Sequence, residues 1–222
     1  MSLKIKRYLQ ECYPQISEYL SRTETIPRIE RKRGFVLPEA VVRVVVGQML
    51  SGKAAETIYG RVRAAANAAN LSGSWLLDVE TLRGCGLSKA KANAILELSE
   101  RIGKDSTALD YWYDLAPDDL LQEIKVLRGM GAWSAGILAL FYVGHEDIFP
   151  SGDGSLDRAL RLIAGRATES RTTLLDPTLA APYRSYLALY LWQCLDAGLF
   201  GPPSRTPLAQ PDVVVATSNM ET

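Results

Sequence analysis

Leu127-Arg128-Gly129-Met130-Gly131-Ala132-Trp133-Ser134-Ala135 sets two glycines one residue apart between segments of helical periodicity. Gly129 and Gly131 can take positive φ and bring bare backbone to the surface, and the helix opening at Ala132 presents unpaired N–H groups. Such a turn can cradle an anion without Lys or Arg, because backbone N–H groups and the helix dipole both face the ligand. It can equally be a tight corner between helices with a glycine as C-cap. The pattern occurs twice: Leu82-Arg83-Gly84-Cys85-Gly86 precedes it by 45 residues, and Ala90 with Ala135 and Ala94 with Ala139 recur in register. The repeat predicts two helix-turn-helix units whose small-residue helices pack closely on a neighbour.

Around these turns nearly all the periodicity is helical, and the expected fold class is all-α. Helix is expected throughout 38–69, opened by Pro38 and with a second, Ala-rich run starting at Ser51, and over 88–102 with Ser88 as N-cap. Others are expected over 117–127, 132–143, 155–164 and 181–197. Val213 to Val215 is the one strand candidate, inside a tail from Gly201 that holds four prolines and reads as a flexible terminus.

The 222 residues are 47% hydrophobic and 23% charged, which excludes the low-hydrophobicity, high-net-charge signature of disorder. No apolar run approaches the ~18 to 20 residues that cross a bilayer, and Met1 to Arg7 is basic without an apolar stretch behind it. No membrane association and an intracellular location, cytoplasm, nucleoid or nucleus, are therefore expected. Cys12, Cys85 and Cys194 lie too far apart for a disulfide framework or a C-x-x-C site, and His145 is the sole histidine, which excludes multi-histidine metal sites. Lys and Arg number 25 and so do Asp and Glu, a balance that by itself counts against a nucleic-acid partner. It conceals an asymmetry: residues 1–63 carry 12 bases against 6 acids, residues 64–222 carry 13 against 19. A backbone cradle needs no cationic excess, so zero net charge is compatible with DNA and predicts a shallow salt dependence of binding.

Taken with what surrounds it, the 127–135 stretch resembles the helix-hairpin-helix of DNA glycosylases, in the 3-methyladenine DNA glycosylase II branch. Asp147-Ile148-Phe149-Pro150-Ser151-Gly152-Asp153 resembles the Gly/Pro-rich loop that ends in that family's catalytic aspartate. Arg184-Ser185-Tyr186 through Leu191-Trp192 is similar to its C-terminal helix, and Gly47-Gln48-Met49-Leu50-Ser51 to a Gly-Gln-x-x-Ser segment near its start. Together the four motifs span about residues 38–195. Arg128 stands where the family has proline and Ser134 where it has threonine, and an N-terminal β-rich domain has no room. The resemblance implies a compact, two-lobed helical bundle with the active-site cleft between the lobes. On this reading residues 1–37 complete the second lobe, 38–145 form the lobe holding the hairpin (about 117–143), 146–200 carry the catalytic loop and C-terminal helices, and 201–222 are the tail.

The resemblance makes Asp153 the catalytic carboxylate. Breaking an N-glycosidic bond builds positive charge on the sugar, which a carboxylate near C1′ stabilises while it orients or deprotonates water. A mere cap on the helix after it is the other role open to Asp153; Asp147 and Asp157 are its neighbours of the same type. Trp133 occupies the place where the superfamily's glycosylase-lyases carry a Schiff-base lysine, so the implied chemistry is monofunctional. Trp133 and Trp192, with Tyr186 and Tyr190, are candidate walls of a base pocket, because electron-rich rings hold a cationic alkylated purine; core packing is the alternative for each. Trp75 and Trp112 are expected in the core.

By the same resemblance Met49 is the wedge that fills the gap left by the flipped nucleotide, and Gln48 faces the orphaned base. Backbone N–H groups of Gly129, Gly131 and Trp133, with Ser134, are expected at DNA phosphates, and Lys53, Arg43, Lys89 and Lys91 near the duplex. A monovalent cation, Na or K, is implied at the carbonyls of Lys125, Leu127 and Met130. No cofactor is required, and an iron–sulfur cluster is not expected because only Cys194 lies near the C-terminus. The expected partner is double-stranded DNA carrying alkylated bases, bound by a monomer. A non-enzymatic module that binds damaged DNA, a glycosylase-lyase and an all-α scaffold without DNA affinity are the alternatives.

Overall fold

The computed structural model describes residues 2–31, 33–164 and 175–200. The tail expected from Gly201, with its strand candidate, lies outside them. Ten α-helices and several short 3-10 turns make up the described chain, and no strand occurs among these residues.

The helices form two cores, each built around one helix that is buried over most of its surface. In the first, α3 (Leu37–Gly47) buries Val41, Val42, Val44, Val45 and Val46. Valine is a poor helix former, and complete burial offsets that preference. Packed around α3 are α4 (Gly52–Ala68), α6 (Lys89–Ile102) and α8 (Ala132–Leu138), with α5 (Val79–Gly84) against α6 and α7 (Pro117–Lys125) against α8. Trp75 and Trp112 are buried in this core, as expected.

In the second core α10 (Arg184–Asp196) buries Tyr186, Leu187, Ala188, Tyr190, Leu191 and Cys194 against α1 (Ser2–Cys12), α2 (Ser17–Ser21) and α9 (Gly154–Ala164). The helices of the first thirty residues thus belong to the same core as those of the last fifty described. Ile137 and Phe141 touch both cores, which makes α8 and the π turn that continues it (Ala139–Val143) the element shared by the two lobes.

Three sequence expectations need correction. The stretch 38–69, expected to be helical throughout, is interrupted at Gln48 to Ser51, where Met49 turns left-handed with φ 58°, while Ser51, the expected start of the second run, is the N-cap of α4. Helix 181–197 starts at Arg184, after a 3-10 turn at Pro177–Ala180. The two Leu-x-Gly-x-Gly copies are not structural duplicates. In the first, α5 runs through Gly84 and the positive φ falls on Gly86; in the second, α7 stops at Lys125, the positive φ falls on Gly129, and Gly131 is extended at φ −79° as the N-cap of α8. The alanine register slips accordingly: Ala94, Ala135 and Ala139 are buried but Ala90 is exposed.

Candidate active site at the hairpin

Asp153 sits in the loop between the π turn and α9, with two sets of N–H groups pointing at its carboxylate. Oδ1 accepts from the backbone N–H of Ser155 (3.0 Å) and Leu156 (2.9 Å) at the start of α9. The Trp133 indole N–H donates to Oδ2 at 2.9 Å, and the Trp192 indole N–H donates to Oδ1 at 3.2 Å. Capping therefore describes only half of its contacts. All four donors present a positive end to the carboxylate, complementing its negative charge, and charge-assisted bonds of this kind are the strong ones. The residue stays half-buried rather than sealed in.

Three elements bring these groups together. Trp133 is the second residue of α8, directly behind the hairpin; Trp192 comes from α10 of the other lobe; Asp153 precedes α9. Phe141 stacks on Trp192 with centroids 5.7 Å apart and planes 25° from parallel, so one face of that indole is already covered. Close approach of the loop to α8 depends on Gly136, where an added Cβ would lie 2.7 Å from Cα of Pro150.

The neighbouring carboxylates are committed elsewhere. Asp147 accepts from Arg184 Nε (2.7 Å), Nη2 (3.0 Å) and backbone N–H (3.2 Å). Burial pushes the Asp147 carboxyl up, but these bonds outweigh it and hold it below its ordinary value, while the same bonds raise Arg184. Asp157 is exposed on α9. His145 is buried, which, with Arg31 beside it, lowers its pKa to about 4, and its Nδ1 accepts the Asp147 N–H at 3.1 Å. It serves as a neutral acceptor within the loop.

Arg184, Ser185 and Tyr186 form a clamp on residues 145–148. Ser185 Oγ donates to the His145 carbonyl at 2.6 Å and accepts from the Ile148 N–H at 2.9 Å, and the Tyr186 hydroxyl donates to Glu146 at 2.9 Å. Sequence reasoning found the motif but gave it no such task. Tyr186 and Tyr190 are the pocket candidates the structure moves: both are fully buried in the second core, and their hydroxyls accept from the Ile29 (2.9 Å) and Ile26 (3.2 Å) N–H groups. Spaced four residues apart, they share the α10 face turned to the N-terminal segment.

At the α3–α4 break Met49 is fully exposed. Its left-handed backbone costs about 1–2 kcal/mol, and its exposure forgoes roughly 1.5–3 kcal/mol of burial. An apolar side chain held outward at such cost suits a wedge. Gln48 does not face outward as expected. Its Nε2 donates to the Gly129 carbonyl and to Ser134 Oγ, both at 2.9 Å, so the buried Ser134 hydroxyl is engaged with Gln48 rather than turned toward a phosphate.

Among the four candidate duplex cations, Lys91 donates to the carbonyls of Val46 (2.8 Å) and Gln48 (2.6 Å), and Arg43 pairs with Glu56 at 2.5 Å over the Tyr59 ring. Lys53 and Lys89 are exposed. No side chain caps α8 at the hairpin, which leaves its leading N–H groups toward solvent. Among the described residues the carbonyls of Lys125 and Met130 accept no hydrogen bond, whereas that of Leu127 accepts the Met130 N–H at 3.1 Å; two open carbonyls and a third with a spare lone pair suit a cation.

A cavity of about 510 Å3 lies elsewhere, lined by Phe35, Tyr59, Trp75 and Tyr142 among others. Its Glu39 already accepts from the Tyr59 hydroxyl (2.8 Å) and the Ser74 N–H (2.9 Å), so that carboxylate is engaged internally.

No protein-family model matches the chain. DNA-3-methyladenine glycosylase 1 of Schizosaccharomyces pombe is 24% identical over 173 residues, covering 75% of this chain and 76% of that protein. A crystal structure of DNA-3-methyladenine glycosidase from Bacillus halodurans superposes with a TM-score of 0.67 at 23% identity, covering 87% of this chain and 90% of that one. In sequence and in fold the chain is thus similar to DNA-3-methyladenine glycosylases. A further glycosylase of this fold, the Schizosaccharomyces pombe 3-methyladenine DNA glycosylase in complex with abasic DNA, superposes with a TM-score of 0.58 at 20% identity over 85% of this chain and 95% of its own.

Proposed function

We propose that the protein is a monofunctional DNA glycosylase of base excision repair, which flips alkylated bases, chiefly 3-methyladenine and related N-alkylpurines, and hydrolyses the N-glycosidic bond. The observation that carries this reading is the Asp153 carboxylate, held by the indole N–H groups of Trp133 and Trp192 and by two N–H groups of α9. Placed near C1′, it stabilises the positive charge that grows on the sugar as the C1′–N bond breaks. Water then adds to C1′ and loses its proton to Asp153 or to solvent, leaving an intact abasic site. An N-alkylated purine carries a positive charge and departs as a neutral base, so no acid need protonate it. That fits a loop in which Asp147 is bound by Arg184 and His145 is neutral.

The wedge is Met49, the open N–H groups of Gly129, Gly131 and Trp133 take phosphates, and the carbonyls of Lys125, Leu127 and Met130 hold a monovalent cation that fixes the turn. Double-stranded DNA bearing alkylated bases is the partner, the protein works as an intracellular monomer, and no iron–sulfur cluster is needed. Among the described residues no helix is long and apolar enough to cross a membrane. Incubation with methylated DNA should release free 3-methyladenine and leave unbroken abasic strands, with no adduct trapped by borohydride. Retained DNA affinity without any base release would favour the non-enzymatic module, and a trapped adduct the lyase.

A further inference from the structure

The loop that carries Met49 is tied from both sides to elements outside it. Helix α3 ends at Gly47, so its last carbonyls have no helical partner. Lys91 Nζ takes two carbonyls there, Val46 at 2.8 Å and Gln48 at 2.6 Å, one on each side of the helix end. Lys91 is the third residue of α6, just behind the first Leu-x-Gly-x-Gly turn. From the opposite side Gln48 Nε2 spends both of its hydrogens on the second turn, at the Gly129 carbonyl and Ser134 Oγ, each 2.9 Å away. A carbonyl cannot donate, so the amide must present its nitrogen here and its orientation is fixed. Met49, between these anchors, sits in a turn closed by the Leu50 N–H on the Gly47 carbonyl at 3.3 Å, and its fully exposed side chain has no packing that would hold the turn in place against DNA.

We infer that Lys91 and Gln48 are positioning residues that lock the Met49 wedge to the phosphate-holding turn, so that gripping the backbone and pushing out the nucleotide are one rigid-body act. The inference rests on the glycosylase reading above. Lys91, though basic and near the hairpin, is then not a DNA contact: its ammonium is spent inside the protein, and its burial lowers its pKa. Extruding a paired nucleotide against stacking needs a wedge that does not yield, whereas a lesion that is already unpaired needs much less of one.

The test compares single-turnover base release from two duplexes, one with a single 7-methylguanine paired to cytosine and one with the same lesion in an unpaired bulge. Lys91→Met and Gln48→Leu should each slow release from the paired lesion about tenfold and leave the bulged lesion within about twofold of the parent. Affinity for undamaged duplex should stay unchanged, and a 2-aminopurine beside the paired lesion should brighten less on binding. Met49→Ala should give the same pattern, and its combination with Lys91→Met should lose no more than either alone. Equal losses on both duplexes, including those from a variant that folds poorly, would show that the two side chains merely support the fold; additive losses with Met49→Ala would separate them from the wedge. Gln48→Leu, at a half-exposed residue, provides the second readout if Lys91→Met does not fold. A parent protein that releases no base from either duplex and no 3-methyladenine from methylated DNA would overturn the glycosylase reading itself.

Discussion

Both Leu-x-Gly-x-Gly turns lead into a helix that packs on α3, yet they end in opposite ways. At the first, Ser88 Oγ accepts the Lys91 N–H at 3.3 Å, so the start of α6 is capped by its own side chain, and Lys91 folds back to α3. At the second, Gly131 is the N-cap and offers no side chain, and the first turn of α8 delivers Trp133 to Asp153. The loops differ in length as well: Cys85 to Ser88 in one, Val126 to Gly131 in the other. One sequence pattern has thus made a closed structural corner and an open, ligand-ready one, and the residues after the glycines decide which.

Substitutions can break this contrast. The greatest effect is expected from replacing both tryptophans around Asp153, Trp133→Phe with Trp192→Phe, which removes two charge-assisted donors. Single-turnover release should fall by at least about 100-fold while affinity for DNA holds, because each of the two bonds is worth roughly 1.5–3 kcal/mol. Loss of affinity with an unchanged rate would mean that the rings only bind.

Gly129→Ala puts a Cβ on a residue at φ +78°, costing about 1–2 kcal/mol of stability, and should weaken DNA binding about tenfold, equivalent to ~1.4 kcal/mol. Gly86→Ala, at φ +110°, should cost comparable stability and leave DNA affinity alone. Equal affinity losses would make both turns DNA contacts. Ser88→Ala removes the cap of the closed corner and should cost about 1 kcal/mol in chemical denaturation, again without touching DNA binding. The smallest effect is expected at Gly84, the motif partner of Gly129. It lies in α5 with nothing within 4 Å of an added Cβ, so Gly84→Ala should be neutral or stabilise by about 0.5–1 kcal/mol. Destabilisation there would mean that the two turns are alike after all.

Residues 127–135 and the helical periodicity around them make the all-helical fold and the turn legible, because short-range patterns dictate helix ends, turns and caps, whereas Asp153 is singled out only by the resemblance of 147–153 to a family loop. What stayed hidden depended on distance through space. The slip between the two turns follows from where α5 and α7 stop, at Gly84 and Lys125, which the shared pattern does not state. Tyr186 and Tyr190 looked like pocket walls on residue type, but the N-terminal segment claims that face of α10. Gln48 and Lys91 were assigned outward roles, since nothing in the sequence says that carbonyls 43 and 81 residues away are their acceptors. Gly136 offered a signal that went unread: a glycine inside a helix often marks a close approach, here to Pro150.

Asp153→Asn keeps the side chain's size and one of its oxygens but removes the charge. Measured on DNA carrying 3-methyladenine, single-turnover release should fall by at least about a hundredfold, as expected when a charge that stabilises a transition state is lost, while the variant still binds the same DNA. Release at the parental rate from a folded, DNA-bound Asp153→Asn protein would contradict the account.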